Sequence, residues 1–261
     1  DIDYAVSSDR ALLEYGVGAA SATDLAIADH ISALVEDGDC LQLGIGALPV
    51  SILGKLSGKK DLGVHTGLLT EAIMPLVETG AVNGRRKNID TGKVTTGIVA
   101  GSRGFYRWCA GRRDLRLRPV SYTHNAGVLA QLERLVAINT TLEIDLFGQI
   151  NSETLNGRQI GGGGGLVDFL RGARASRGGR SIIALTATAK GGTLSKIVPL
   201  LTAAPVTGMR GDIDYVVTEF GGAGLSNLSV ERRAEALIAI AHPDYRAELT
   251  AKWQDLMAKF C

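Results

Sequence analysis

Cysteine is scarce in this chain and badly placed for pairing. Cys40, Cys109 and Cys261 are odd in number and widely spaced, and no CxxC occurs. Neither a disulfide framework nor a zinc ribbon follows, which favours a reducing compartment. Cys40 abuts an apolar strand and reads as a small core residue. Charge of one sign is lacking too: 28 basic against 27 acidic residues leave a formal +1. That excludes a net pull towards nucleic acid or anionic membrane. The short runs Arg85-Arg86-Lys87 and Arg112-Arg113 read as solvated faces or phosphate contacts. No apolar run approaches the roughly 20 residues that span a bilayer, and no secretory leader pattern opens the chain. The expectation is a soluble cytoplasmic protein with no nucleic-acid or membrane partner. His30, His65, His124 and His242 make no HxxxH, HExxH or carboxylate–His cluster, so no metal is expected. GxxxxGK[ST] and GxSxG are absent, and "GIGALP" fails as GxGxxG because Pro49 stands where the third glycine belongs.

What is present is an α/β pattern. With 261 residues, 45% of them apolar, the chain can bury a sizeable core as one large domain or two small ones. Residues 1–21 lack a period and read as a linker or lead-in; residues 22–261 form the domain. Leu25, Ile27, Ala28, Ile31 and Leu34 recur at helical spacing, with Thr23 or Asp24 as N-cap and Gly38 as the stop. Strands are predicted at "CLQLGIG", "LGVHT", "KVTTGIVAG", "RLVAINT", "SIIALTATA" and "DYVVTEFG". Helices are predicted at "LPVSILGKL", "TEAIMPLVETG", "VERRAEALIAIA" and "YRAELTAKWQDLMAKF", the last two separated at Pro243. Strand–helix alternation with short connections gives a mainly parallel open sheet covered by helices.

Three glycine-rich turns follow apolar segments: Gly44 to Gly46, Gly161 to Gly165, and Gly221 to Gly224. Such turns can aim backbone N–H groups at an oxyanion or a phosphate. The stretch "LGVHTGLLTEAI" reads as strand, turn and helix start, with Gly67 at the turn. His65, at the end of that strand, is the best placed of the four histidines for a cleft.

Taken in order, "LQLGIGALP", "DLGVHT", "LVETGAV", "IALTATAKGGTLSKIVP", "DYVVTEFG" and "ALIAIAHPDYR" resemble the acetyl-CoA hydrolase/transferase family, most of all its 4-hydroxybutyrate CoA-transferases. The resemblance runs from about residue 22 to the C-terminus and matches only the family's C-terminal half. Together with the start at Asp1 without Met, it implies the second domain of a longer protein, or one piece of a nicked one. It also implies coenzyme A as the thioester substrate or product, with an acyl-CoA and a small carboxylate as partners. A homo-oligomer, commonly a dimer, is implied, as is a missing N-terminal domain or partner chain. By motif, Gly44, Ile45, Gly46, Ala47 and Leu48 correspond to a CoA-contacting loop, and Gly162, Gly163, Gly164 and Gly165 to a second glycine loop. Asp168 and Glu219 match family positions with supporting roles.

In that family a glutamate following His-Thr attacks the thioester and carries CoA covalently. Here the position is Gly67. Glycine cannot hold CoA as a thioester, so ping-pong transfer through this position is excluded. Leu166 also departs from a position that is usually polar. The resemblance therefore implies an acyl-CoA enzyme acting by hydrolysis or altered chemistry, with His65 or Glu71 orienting water. Alternatives are a non-catalytic acyl-CoA-binding protein or partner subunit, and a true transferase with Glu71, one helical turn on, as its nucleophile.

Overall fold

The computed structural model describes residues 3–202 and 204–260. Eight strands share one sheet: β1 (Cys40–Leu43), β2 (Gly63–Thr70), β3 (Val94–Ala100), β4 (Leu115–Leu117), β5 (Leu135–Thr140), β6 (Arg180–Ala184), β7 (Tyr215–Thr218) and β8 (Gly221–Gly224). Their order is β8-β7-β6-β5-β1-β2-β3-β4, and every neighbouring pair is parallel except β7 with β8. The chain thus starts mid-sheet at β1, runs out to β4, returns to β5 and runs out the other way. That reversal opens a crevice outside the carboxyl ends of β1 and β5, where open α/β sheets hold their ligands.

Nine helices among the described residues cover the sheet: α1 (Ala22–Leu34), α2 (Ala47–Gly54), α3 (Met74–Glu78), α4 (Arg103–Cys109), α5 (Val120–Thr123), α6 (Ala126–Gln131), α7 (Leu166–Ala175), α8 (Val230–Ala239) and α9 (Pro243–Phe260). Ile27 and Ile31 of α1 and Ile52 of α2 pack with Leu41, Val136 and Ile138 on one face. Leu129 of α6 and Phe169 and Ala173 of α7 cover Leu135 and Ala137 on the other. Successive residues of β5 therefore feed opposite cores, as strand geometry requires. α8 and α9 bury Ala234, Leu237 and Trp253 with Ile183 and Val216 at the β6–β7 end. Below β1, the fully buried Asp39 accepts from Arg134 Nε at 3.0 Å and also pairs with Arg180.

Several sequence expectations change. α1 begins one residue after Ser21, whose hydroxyl and Asp24 form a reciprocal capping box, and it ends at Leu34 with Val35 already extended. Gly38 is therefore not its stop but part of a later turn, at φ 83°. Residues 3–20 carry no regular secondary structure, yet Tyr15 N donates to Gly101 O at 3.0 Å and Glu14 pairs with Arg103. Most consequentially, β2 does not stop after His65-Thr66. It pairs in parallel with β3 as far as Thr70↔Ala100, because the β-branched "VTTGIVA" extends beside it. Gly67 lies mid-strand, not at a turn. The helix expected over "TEAIMPLVETG" shrinks to a 3-10 turn at Glu71–Ile73 and the short α3, with Pro75 in its first turn. Gly221–Gly224 is no turn either but the antiparallel edge strand β8.

Candidate functional site

Three backbone segments meet at the crevice. The first leaves β1: Gly44 N donates to Ile138 O at 3.1 Å, and Gly46, at φ 113°, turns the chain into α2. Only glycine is comfortable at that φ. The first-turn N–H groups of α2 lack intrahelical acceptors, which makes them available to an anionic or carbonyl oxygen. Ile45 is exposed, whereas the Leu48 side chain is buried in the core, so only its backbone can face a ligand. The second segment is mid-β2. The register Leu41↔Val64, carried forward, sets Gly67 beside Gly44, and Thr66 Oγ1 donates to Leu43 O at 3.3 Å. The third is the glycine loop before α7. Ile160 N and Gly161 N anchor it on Glu153 O at 2.8 and 3.2 Å, and Gly164 takes φ 53°. Leu166, the first residue of α7, is buried with Ile150 and Leu170, so its apolar character serves the core.

A side chain that the sequence did not single out bridges the second and third segments. The His124 imidazole lies against Gly67 and Gly165 at once. A Cβ at Gly67 would stand 2.8 Å from His124 Cε1 and Nε2, and one at Gly165 would stand 2.3 Å from Nε2. Neither glycine has a positive φ, so the imidazole's volume, not backbone strain, is what requires glycine at both. The ring meets Phe169 edge-on at 4.8 Å between centroids. Its Nδ1 lies 2.9 Å from Thr123 Oγ1. That hydroxyl also lies 3.5 Å from Pro119 O, the carbonyl it donates to at the start of α5. The contact on Nδ1 leaves Nε2 facing the two glycines. The junction of α5 and α6 fixes the backbone: His124 N donates to Val120 O at 3.0 Å, and Asn125 caps α6 through Val128 N at 3.1 Å.

His65 and Glu71 are placed otherwise than the sequence suggested. His65 is fully buried and does not reach the crevice. Its Nε2 lies 3.1 Å from Thr123 O, which ties the His124 turn to β2. Burial, aided by the Lys87 ammonium, pushes its imidazole down to about 4, so it is neutral and cannot serve as a solvent-facing base. Glu71 was expected one helical turn from Gly67. The intervening residues are strand, and four strand steps carry Glu71 about 13 Å away. Its carboxylate accepts from Ser102 N and Oγ, both at 3.0 Å, and borders a cavity of about 540 Å³ lined also by Tyr15, Thr70, Met74 and Gly101. Glu219 accepts from Ala187 N at 2.8 Å, and Asp168 is exposed on α7. A carboxylate that does approach the glycine loop is Glu153, which accepts from Thr207 Oγ1 at 2.9 Å and from Gln159 Nε2 at 3.2 Å. No group of three or more His, Cys, Asp or Glu able to hold a metal occurs among the described residues.

The architecture is thus a doubly wound α/β domain with two glycine-bearing segments around a crevice at the strand-order reversal. Residues 101–253 match the acetyl-CoA hydrolase/transferase C-terminal domain, and the chain belongs to that family. It is 41% identical over 250 residues to a 4-hydroxybutyrate coenzyme A transferase of Clostridium kluyveri, covering 95% of this chain and 58% of that protein. The structure of RipA from Yersinia pestis superposes with a TM-score of 0.90 at 42% identity, over 94% of this chain and 56% of that one. An acetyl-CoA hydrolase of Saccharomyces cerevisiae is 33% identical over 218 residues, 80% of this chain and 39% of that protein. The chain spans a little over half the length of the curated transferases it matches.

Proposed function

We propose that this chain is the C-terminal half of an acyl-CoA enzyme that releases CoA by hydrolysis and forms no glutamyl-CoA intermediate. The observation that carries the reading is Gly67 with the His124 imidazole packed against it. The expected carboxylate has neither a side chain to sit on nor a free volume to occupy. A covalent route needs a nucleophile at the thioester, and losing one removes the route outright. Glu71 is committed to Ser102 at the far end of β2, which argues against its substitution as nucleophile. The Gly44–Leu48 and Gly162–Gly165 segments would hold the CoA thioester and its oxyanion through backbone N–H groups. Residues preceding this segment, or a partner chain, would complete the acyl pocket of a cytoplasmic homo-oligomer.

The test uses the full-length protein with acetyl-CoA. A thiol reagent should register CoA release, labelled acetate should not enter the thioester, and mass spectrometry should find no CoA adduct. Label exchange, or an adduct on Glu71, Glu153 or any other carboxylate, would return the protein to covalent transfer. CoA affinity without turnover would make it a binding protein.

A further inference from the structure

A hydrolase without a covalent carboxylate needs another group to activate water, and the crevice contains one basic side chain placed for it. From the geometry we infer that His124 is the general base for attack of water on the thioester carbonyl, an assignment that rests on the hydrolytic reading above. Three independent features converge on the imidazole. It occupies the volume in front of Gly67, where a residue-67 side chain would otherwise project. Its other flank touches Gly165, so strand β2 and the glycine loop before α7 border the same ring. Its orientation is held from three sides: Thr123 Oγ1 on Nδ1, Phe169 against the ring, and His65 Nε2 donating to the Thr123 carbonyl just upstream. A base oriented through its far nitrogen by a fixed hydrogen-bond partner is the arrangement that directs Nε2 at a reacting proton.

The step balances without further reagents. Nε2 takes a proton from water while the water oxygen bonds to the carbonyl carbon and the carbonyl π pair moves to oxygen. The tetrahedral oxyanion collapses, the C–S bond breaks with its electron pair on sulfur, and the Nε2 proton passes to the departing thiolate. CoA thiol and the acid, ionising to carboxylate and a proton, are the products. His65 acts through His124 as a positioning residue, since its buried ring contacts the turn and not the crevice.

The test compares wild type, His124→Ala and His124→Gln in the full-length protein with acetyl-CoA. CoA release should fall on the order of 10²–10⁴-fold in both variants. Calorimetric CoA affinity should stay within about threefold, well under the tenfold that 1.4 kcal/mol represents. Imidazole added to His124→Ala should restore hydrolysis, because the deleted ring leaves its space between Gly67 and Gly165; no purely structural role for His124 gives that result. His124→Gln retains bulk and serves where the alanine variant does not fold. Turnover within about threefold of wild type in a folded variant, or an acyl group trapped on His124 itself, overturns the general-base assignment and leaves hydrolysis standing. A loss in folded His124→Ala that imidazole leaves untouched overturns it as well. Absence of CoA release from wild type overturns the hydrolytic reading, and this assignment with it.

Discussion

Placing a single methyl at Gly67 tests the packing on which the site depends. The Cβ of Gly67→Ala would lie 2.8 Å from two atoms of His124, well inside ordinary contact. The imidazole cannot retreat towards Gly165, which it already touches, so it must swing out of the crevice. Swinging out gives up the Thr123 hydrogen bond, about 0.5–1.5 kcal/mol, and the edge-on contact with Phe169, about as much again. The expected destabilisation is therefore about 1–3 kcal/mol, the range seen for overpacked interiors. His124→Ala forfeits the same two contacts by itself. In the double variant the methyl enters space the ring has vacated, so its own penalty disappears. Unfolding of the full-length protein, followed by urea titration, should give a coupling of about 1–3 kcal/mol, the whole of the Gly67→Ala penalty. Additivity within about 0.5 kcal/mol would refute the claim that one imidazole dictates glycine at 67. The corollary concerns chemistry: Gly67→Glu alone should yield no CoA adduct, whereas Gly67→Glu combined with His124→Ala has room for one.

Other expectations are simpler. His65 has its folded imidazole depressed to about 4 against 6.5 unfolded, so the unfolded chain binds the extra proton between those values. Its contribution is full above pH 6.5, falls as pH drops towards 4 and levels below, a loss of about 3 kcal/mol at about 1.4 per unit. His65→Gln should flatten that part of the stability–pH curve measured by urea unfolding. Asp39→Ala strips a fully buried carboxylate from Arg134 and Arg180 and should cost about 3–5 kcal/mol in the same assay. Glu71→Gln should lower stability by about 1 kcal/mol through its weakened bonds to Ser102. A turnover loss above about tenfold would instead return that carboxylate to the chemistry.

The layered α/β fold was legible because buried parallel strands write themselves as short apolar runs, as "RLVAINT" and "SIIALTATA" do at β5 and β6. Both glycine segments were legible as well, since a residue such as Gly46 at φ 113° leaves a composition signal. What failed was local arbitration along "LGVHTGLLTEAI". Apolar residues with acids suit a helix start or a strand equally by pattern. The partner that decided for strand, β3, lies some thirty residues away. The error had a chemical consequence, because helical spacing set Glu71 above Gly67 whereas strand spacing separates them. His124 was missed for another reason. Nothing in "YTHN" marks it, and its neighbours Gly67, Gly165 and Phe169 come from a strand, a loop and a helix distant in sequence.

Those contacts bear on why position 67 carries no side chain. A glycine in a strand weakens it unless some group needs the space, since it gives up packing and adds chain entropy. Here the occupant of that space is known: a half-buried imidazole whose ring displaces any side chain at 67 and at 165 together. Gly67, Gly165 and His124 are therefore one steric unit, and a side chain added at either glycine forces the imidazole to move. An imidazole seated there, tethered through Thr123 and tied by His65 to the strand that carries Gly67, is the observation that supports the proposed base in place of a nucleophile. In the hydrolytic reading proposed above, exchange of the attacking group for a water activator would be what separates hydrolysis from transfer, and the volume of one ring is what supports it.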